Sequence, residues 1–131
     1  MPRKKKNNVQ EVADLAEPVA VEDSRVDMLR TSLEEIKAND GVIGFILRNS
    51  KSATIDLKDP TKIIDYAILS SSAFEAGELL SEDFKLGIVK SIVIQGEDKK
   101  VLSLTDDGNR ISVFMEKEVE WEKILKKLSS L

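Results

Sequence analysis

The stretch from Thr61 to Leu80 constrains this chain more than any other part of it. Asp59 and Pro60 open it as a helix, with Pro60 near the first turn, where a missing N–H loses no bond. Inside it, Ile63, Ile64, Tyr66, Ala67, Ile68, Leu69, Ala73 and Phe74 point in nearly every direction around a helical axis. A helix that is apolar all round has to be buried on more than one side. A chain of 131 residues fits one domain with one hydrophobic core. One sheet covers one side of such a helix, so a second covering body is expected.

The flanking segments supply the sheet. Asp23 or Ser24 caps a first helix, in which Val26, Leu29, Leu33 and Ile36 recur on one stripe. Asn39, Asp40 and Gly41 stop it, Gly41 being free to take a left-handed backbone. Val42 to Leu47 is a short apolar run that suits a strand covered on both faces, and Asn49 to Ser52 make a turn. Ala53 to Leu57 alternates apolar and polar and pairs back as a less buried edge strand. After the central helix, Leu86 to Gln95 forms a strand that ends in the turn Gly96-Glu97-Asp98. Val101 to Thr105 forms the next, with Leu102 and Leu104 on one face. Asp107-Gly108 is a strong hairpin signal. Ile111, Val113 and Met115 share a face of the last strand, and a final helix from about Glu116 carries the stripe Trp121, Ile124, Leu125 and Leu128. The fold class is α+β in the order α-β-β-α-β-β-β-α. About five antiparallel strands are expected, with helices on both faces of the sheet. Residues 1–22 are expected to be a flexible tail ahead of a domain at 23–131. Within that tail Val9, Val12, Ala13 and Ala16 suit a short helix that Pro18 limits.

Composition removes whole classes of function. There is no cysteine and no histidine. Disulfides, thiolate zinc sites, cysteine nucleophiles and a Ser-His-Asp triad are therefore unavailable. No catalytic residue, no cofactor site and no metal site is expected, and the chain reads as a non-enzyme. The four cations Arg3, Lys4, Lys5 and Lys6 leave −8 for the rest of a chain whose net charge is −4. An acidic body argues against a nucleic-acid face, and four charges on a tail favour a membrane only weakly. The start lacks an apolar segment that would make it a secretory signal, and the longest apolar run, Gly41 to Leu47, is far short of the ~20 residues a membrane span needs. Cytoplasm is the expected location. Abundant Lys and Glu with few Gln lean toward a heat-adapted source. Asp106, Asp107 and Asn109 do not make a calcium loop, because Lys117 stands where a bidentate Glu is needed. Glu78, Glu82 and Asp83 read as a solvated helix end, and no glycine belongs to a phosphate-binding motif.

The order of elements, with its landmarks, resembles the roadblock (dynein light chain) family in its small prokaryotic or archaeal form. The residues that carry this are Asn39-Asp40-Gly41-Val42-Ile43-Gly44 after the first helix, the Ala- and Ser-rich stretch from Ala67 to Ala76, and Gly87 opening the third strand. Val93-Ile94-Gln95-Gly96, Val101-Leu102-Ser103-Leu104 and the turn Asp107-Gly108-Asn109 complete the pattern. The resemblance spans about residues 24 to 129. It departs at the first hairpin, where Ser50-Lys51-Ser52 replaces a glycine, and in the added N-terminal tail. It implies a homodimer or heterodimer in which the second helix packs against its twin and the third strands pair edge to edge. Ile63, Ile64, Ala67, Ile68, Ser71 and Phe74 would then divide between sheet and partner, and Val89, Ser91 and Val93 would lie on the joining strand. The family also implies a scaffold or regulator of a small Ras-like GTPase, or part of a larger assembly. Tyr66 and the cations Arg3, Lys4, Lys5 and Lys6 are candidates for contact with such a partner. Two rival readings stay open: a profilin-like ligand-sensing domain, and a dimeric tether whose basic tail contacts membrane or nucleic acid.

Overall fold

The computed structural model describes residues 16–131, with side chains from Ser24 onward. Its elements are α1 (Ala16–Lys37), β1 (Val42–Arg48), β2 (Ala53–Leu57), a 3-10 turn (Pro60–Lys62), α2 (Ile63–Phe84), β3 (Ser91–Gln95), β4 (Lys99–Asp106), β5 (Asn109–Glu116) and α3 (Trp121–Ser129). The five strands form one antiparallel sheet in the order β2-β1-β5-β4-β3. The order of elements and the five-stranded sheet agree with the sequence reading. Three of the strand pairings are hairpins. The fourth, β1 with β5, sets Phe45 opposite Val113 and Leu47 opposite Ile111, and so joins the two ends of the chain.

Strand alternation assigns the two faces of the sheet. Phe45 and Leu47 of β1, Leu102 and Leu104 of β4, and Ile111, Val113 and Met115 of β5 point to one face. They meet Val26, Leu29, Leu33 and Ile36 of α1 and Ile124 and Leu128 of α3. The opposite face carries Ile46, Val101 and Phe114, and α2 alone covers it, with Tyr66 and Ala67 packing there. The two layers are unequal: the large side chains crowd under α1 and α3, and a smaller cluster lies under α2.

Local chemistry explains the ends of the elements. Asp107 and Gly108 both have positive φ, 49° and 86°, the backbone of the tight hairpin that Asp-Gly favours. In the first hairpin a side chain replaces the missing glycine. The Asn49 Oδ1 accepts the backbone N–H groups of Lys51 (2.8 Å) and Ser52 (3.0 Å), and the Asn49 Nδ2 donates to Asn109 Oδ1 at 2.9 Å. The Asp59 carboxylate accepts the Thr61 hydroxyl at 2.6 Å and the Thr61 N–H at 3.1 Å, which holds its pKa below the usual value. That support is present above the unfolded-state pKa and is lost as pH falls through the lowered folded one. At the top of the sheet, Arg25 of α1 grips Asp106 with two hydrogen bonds of 2.9 and 2.7 Å across 81 positions of sequence.

Several boundaries differ from the sequence reading. α1 begins at Ala16, well ahead of the expected cap at Asp23 or Ser24. Pro18 falls in the first turn, whose N–H groups have no partner inside the helix in any case, so it does not hold the helix back. α2 continues past Leu80 to Phe84 and ends at Lys85 in the left-handed region, φ 54°. β3 is shorter than Leu86–Gln95: its ladder with β4 runs over Ser91–Gln95, with one further bond from the Thr105 N–H to the Lys90 carbonyl at 3.2 Å. α3 starts at Trp121, after a turn in which Val119 N–H bonds Glu116 O at 3.1 Å.

Leu33, fully buried where α1 meets the sheet, is expected to be a stability anchor. Replacing it, Leu33→Ala, should lower the unfolding free energy by about 3 kcal/mol in urea titrations, the usual scale for a core leucine.

Candidate functional site

α2 spans 22 residues, or ~33 Å at ~1.5 Å per residue. The strands beneath it have five to eight residues, so the longest runs ~27 Å. Near its end Leu80 and Phe84 stand in solvent, while Ser81 is half-buried and donates to the Gly87 carbonyl of the segment that follows.

Across the middle of the helix, small residues set the distance to the sheet. Ser70 of α2 lies over Ser112 of β5, Oγ to Oγ 2.7 Å, and Ser112 bonds Ser103 of β4 at 2.8 Å. Ser103 and Ser112 face each other in the ladder and both are 0% exposed. Three hydroxyls joined in a row satisfy one another where a larger pair would hold the helix away. Sequence reading passed over them, although the signal was present. In Val101-Leu102-Ser103-Leu104 and Ile111-Ser112-Val113 each serine occupies the face opposite to the main core, flanked by apolar neighbours. Further along, Gly77 lets the helix close on β3: a Cβ there would run into the Ile92 side chain. Glu78 on one flank ion-pairs with Arg110 of β5, and the Arg110 guanidinium lies 5.1 Å from the centre of the Phe74 ring. A groove of about 400 Å³ opens beneath this half of α2, between Phe74 and Gly77 above and Ile92 and Leu104 below.

The outer face of α2 has no cover among the described residues. Ile64 is 72% exposed and Ile68 61%, and Leu79 continues their line. Leu69, Ala76 and Leu80 follow on the flank opposite Glu78, and Leu69 and Leu80 are exposed large side chains. Beyond the helix, Leu86 is exposed and Ile88 is 87% exposed. β3 is an edge strand, and Ile94 on its α2 side is also exposed. Large apolar side chains gathered on one helix face beside a free strand edge mark an interaction surface.

The residues singled out from the sequence fall on this region in different ways. Ile64 and Ile68 face outward, and Ile63 is exposed at the first turn. Ala67 packs toward the smaller cluster, Ser71 is half-buried, and Phe74 is buried beneath Arg110. Tyr66 packs on Phe114 in a tilted pair, ring centroids 4.6 Å apart and planes at 50°, so the sheet holds much of it. Ser91 is the exposed first residue of β3, and Val89 lies just outside that strand. Val93 turns to the α1/α3 side and packs on the larger core. Arg3, Lys4, Lys5 and Lys6 lie outside the described residues. Leu79, Leu80, Phe84 and Ile94 belong to the exposed surface and were not foreseen. An apolar pattern alone does not separate side chains that face the sheet from those that face away.

Among the described residues, no helix is long and apolar enough to cross a membrane, and no group of acidic residues is placed to hold a metal. No family model matches the sequence, and no curated protein matches it. Its fold does have counterparts among solved structures. A roadblock/LC7 domain from Streptomyces avermitilis superposes with a TM-score of 0.61, 16% identical, over 79% of this chain and 88% of that one. The chain has the roadblock/LC7 fold.

The hydroxyl row yields a test. Ser112→Ala strands Ser70 and Ser103 without their shared partner and should cost about 1–3 kcal/mol in chemical denaturation, the scale of a buried polar group left unpaired. Ser70→Ala, Ser103→Ala and Ser112→Ala combined should cost less than the three single changes added together. Strict additivity would show that the three do not act as one unit.

Proposed function

We propose that this chain is a dimerising interaction module that holds or regulates a partner protein, and that the partner is a small Ras-like GTPase. The observation that carries the first part is the uncovered outer face of α2, continuous with the free edge of β3. A second copy, related by a two-fold axis, covers Ile64 and Ile68 with their own equivalents and pairs the exposed edge. This is the second covering body that an all-round apolar helix calls for. The GTPase rests on the roadblock fold, whose resemblance implies a platform that positions the catalytic groups of a GTPase and contributes none of its own. The absence of His and Cys from the whole sequence agrees with that division of labour. On this reading Arg3 to Lys6 supply a secondary contact to the partner.

Sedimentation should give a dimer at micromolar concentration. Ile68→Glu should raise the dissociation constant at least about tenfold, the ratio that ~1.4 kcal/mol produces. A wild-type chain that is a well-folded monomer would overturn the dimer reading. For the partner, the measurement is GTP hydrolysis by a small Ras-like GTPase from the same source, with and without this protein, alongside direct binding. No binding and no change in rate would remove the GTPase from the proposal.

A further inference from the structure

The groove beneath the second half of α2 is walled by main chain that the fold holds in place. The Leu86 N–H bonds the Ser81 carbonyl at 3.0 Å, the Ser81 hydroxyl donates to the Gly87 carbonyl, and the Thr105 N–H bonds the Lys90 carbonyl at 3.2 Å. Lys85 and Gly87 take left-handed backbone, φ 54° and 78°. These bonds set the course of 85–90, yet Leu86 and Ile88 stand in solvent, as does Phe84 just before them. Ile88 lines the groove itself, together with Phe74, Ile92 and Leu104. A preformed groove with a large apolar rim has no occupant among the described residues.

Charge narrows what fits it. The last turn of α2 has no basic residue, and Glu82 and Asp83 stand there, where acids oppose the helix dipole. Both are exposed and enter no salt bridge among the described residues, whereas Glu78 is matched by Arg110. Glu82 lines the groove. Taken together, Glu75, Glu78, Glu82 and Asp83 exceed Lys85, Lys90 and Arg110 by one charge. The groove therefore suits a segment that is basic at one end and apolar along one side.

The chain has such a segment. Arg3, Lys4, Lys5 and Lys6 are its densest run of cations, and Val9, Val12 and Ala13 follow at the spacing of one apolar stripe. They lie outside the described residues, but the place where the chain leads to them is fixed. Arg25 grips Asp106 at the β4–β5 turn, so the start of α1 lies toward that end of the sheet. Thr105 and Arg110, paired beside the same turn, line the groove. The groove thus opens at the end of the sheet toward which α1 begins. Residues 1–15 span up to ~50 Å when extended, at ~3.3–3.6 Å each, which is ample reach. Tethering also raises the local concentration of such a segment to the millimolar range, so a contact too weak for a free peptide can be populated.

We propose that residues 1–15 seat on this groove of their own chain. Arg3, Lys4, Lys5 and Lys6 lie against Glu82, Asp83 and the carbonyl end of α2, and Val9, Val12 and Ala13 lie over Leu86 and Ile88. The seat is an internal cover. A partner that recruits the four cations first draws them off the acidic end, and so uncovers the groove as it binds. The seat requires neither the dimer nor the GTPase, since the dimer reading rests on Ile64, Ile68 and the edge of β3.

The chain has no cysteine, so Asn7→Cys gives a single attachment point for a nitroxide spin label. NMR relaxation enhancement in the full chain then reads which backbone amides the label approaches. Amides of 78–90 should broaden several-fold more than those of β1 or α3, and added salt should shrink the difference. Glu82→Lys with Asp83→Lys should remove most of the effect, with circular dichroism showing the chain folded. Changing Arg3, Lys4, Lys5 and Lys6 to Glu in that variant should restore it. Uniform broadening, broadening centred on another surface, or an effect that ignores both charge changes overturns the seat. A mixture of spin-labelled chain and isotope-labelled chain separates the copies. Equal broadening in that mixture means that the segment crosses to a second copy, and the proposal is wrong. It is equally wrong if the groove is approached only after anionic vesicles or a GTPase are added.

Discussion

A five-stranded sheet has two apolar faces, and the described residues supply three helices to cover them. Two helices, α1 and α3, take one face, where the large side chains are concentrated. A single helix is left for the other face, and most of the molecule follows from that imbalance. The lone helix is long, and the large side chains near its end stand in solvent. It must also sit close, so the residues beneath its middle are serines joined through their hydroxyls rather than leucines. Among the described residues nothing covers its outer side.

Much of this is legible in the sequence. The order of elements, the sheet, the two Asp/Gly-rich stops and the inner stripe of α1 follow from local spacing alone. The excess of apolar residues on α2 is visible in the sequence as a demand for a partner. Direction is not visible there. Ile64 and Phe74 look alike in a composition of the helix, yet one faces solvent and the other lies under Arg110. Val93 alternates onto the far side of the sheet, which depends on the β3–β4 register rather than on its own segment. Strand ends are hidden for a related reason. Leu86 to Val89 has the residues of a strand, but a strand exists only where a neighbour pairs with it.

The glycine missing from the first hairpin carries a similar lesson about local chemistry. Asn49 accepts two backbone N–H groups and reaches Asn109 in the neighbouring hairpin, so one amide side chain closes its own turn and fastens it to the next. One turn chemistry here stands in for another, and the hairpin closes all the same.

The unequal cores also divide the molecule by time scale. Amide protons in β1, β4 and β5 lie between two packed layers and are expected to exchange with solvent by unfolding of the whole domain. Those of α2 are held by a small cluster and a row of hydroxyls, so the helix is expected to open before the sheet does. Any protein that settles on α2 is therefore expected to slow exchange most in that helix, where local opening is blocked, and to slow the central strands by as much as its binding stabilises the folded chain.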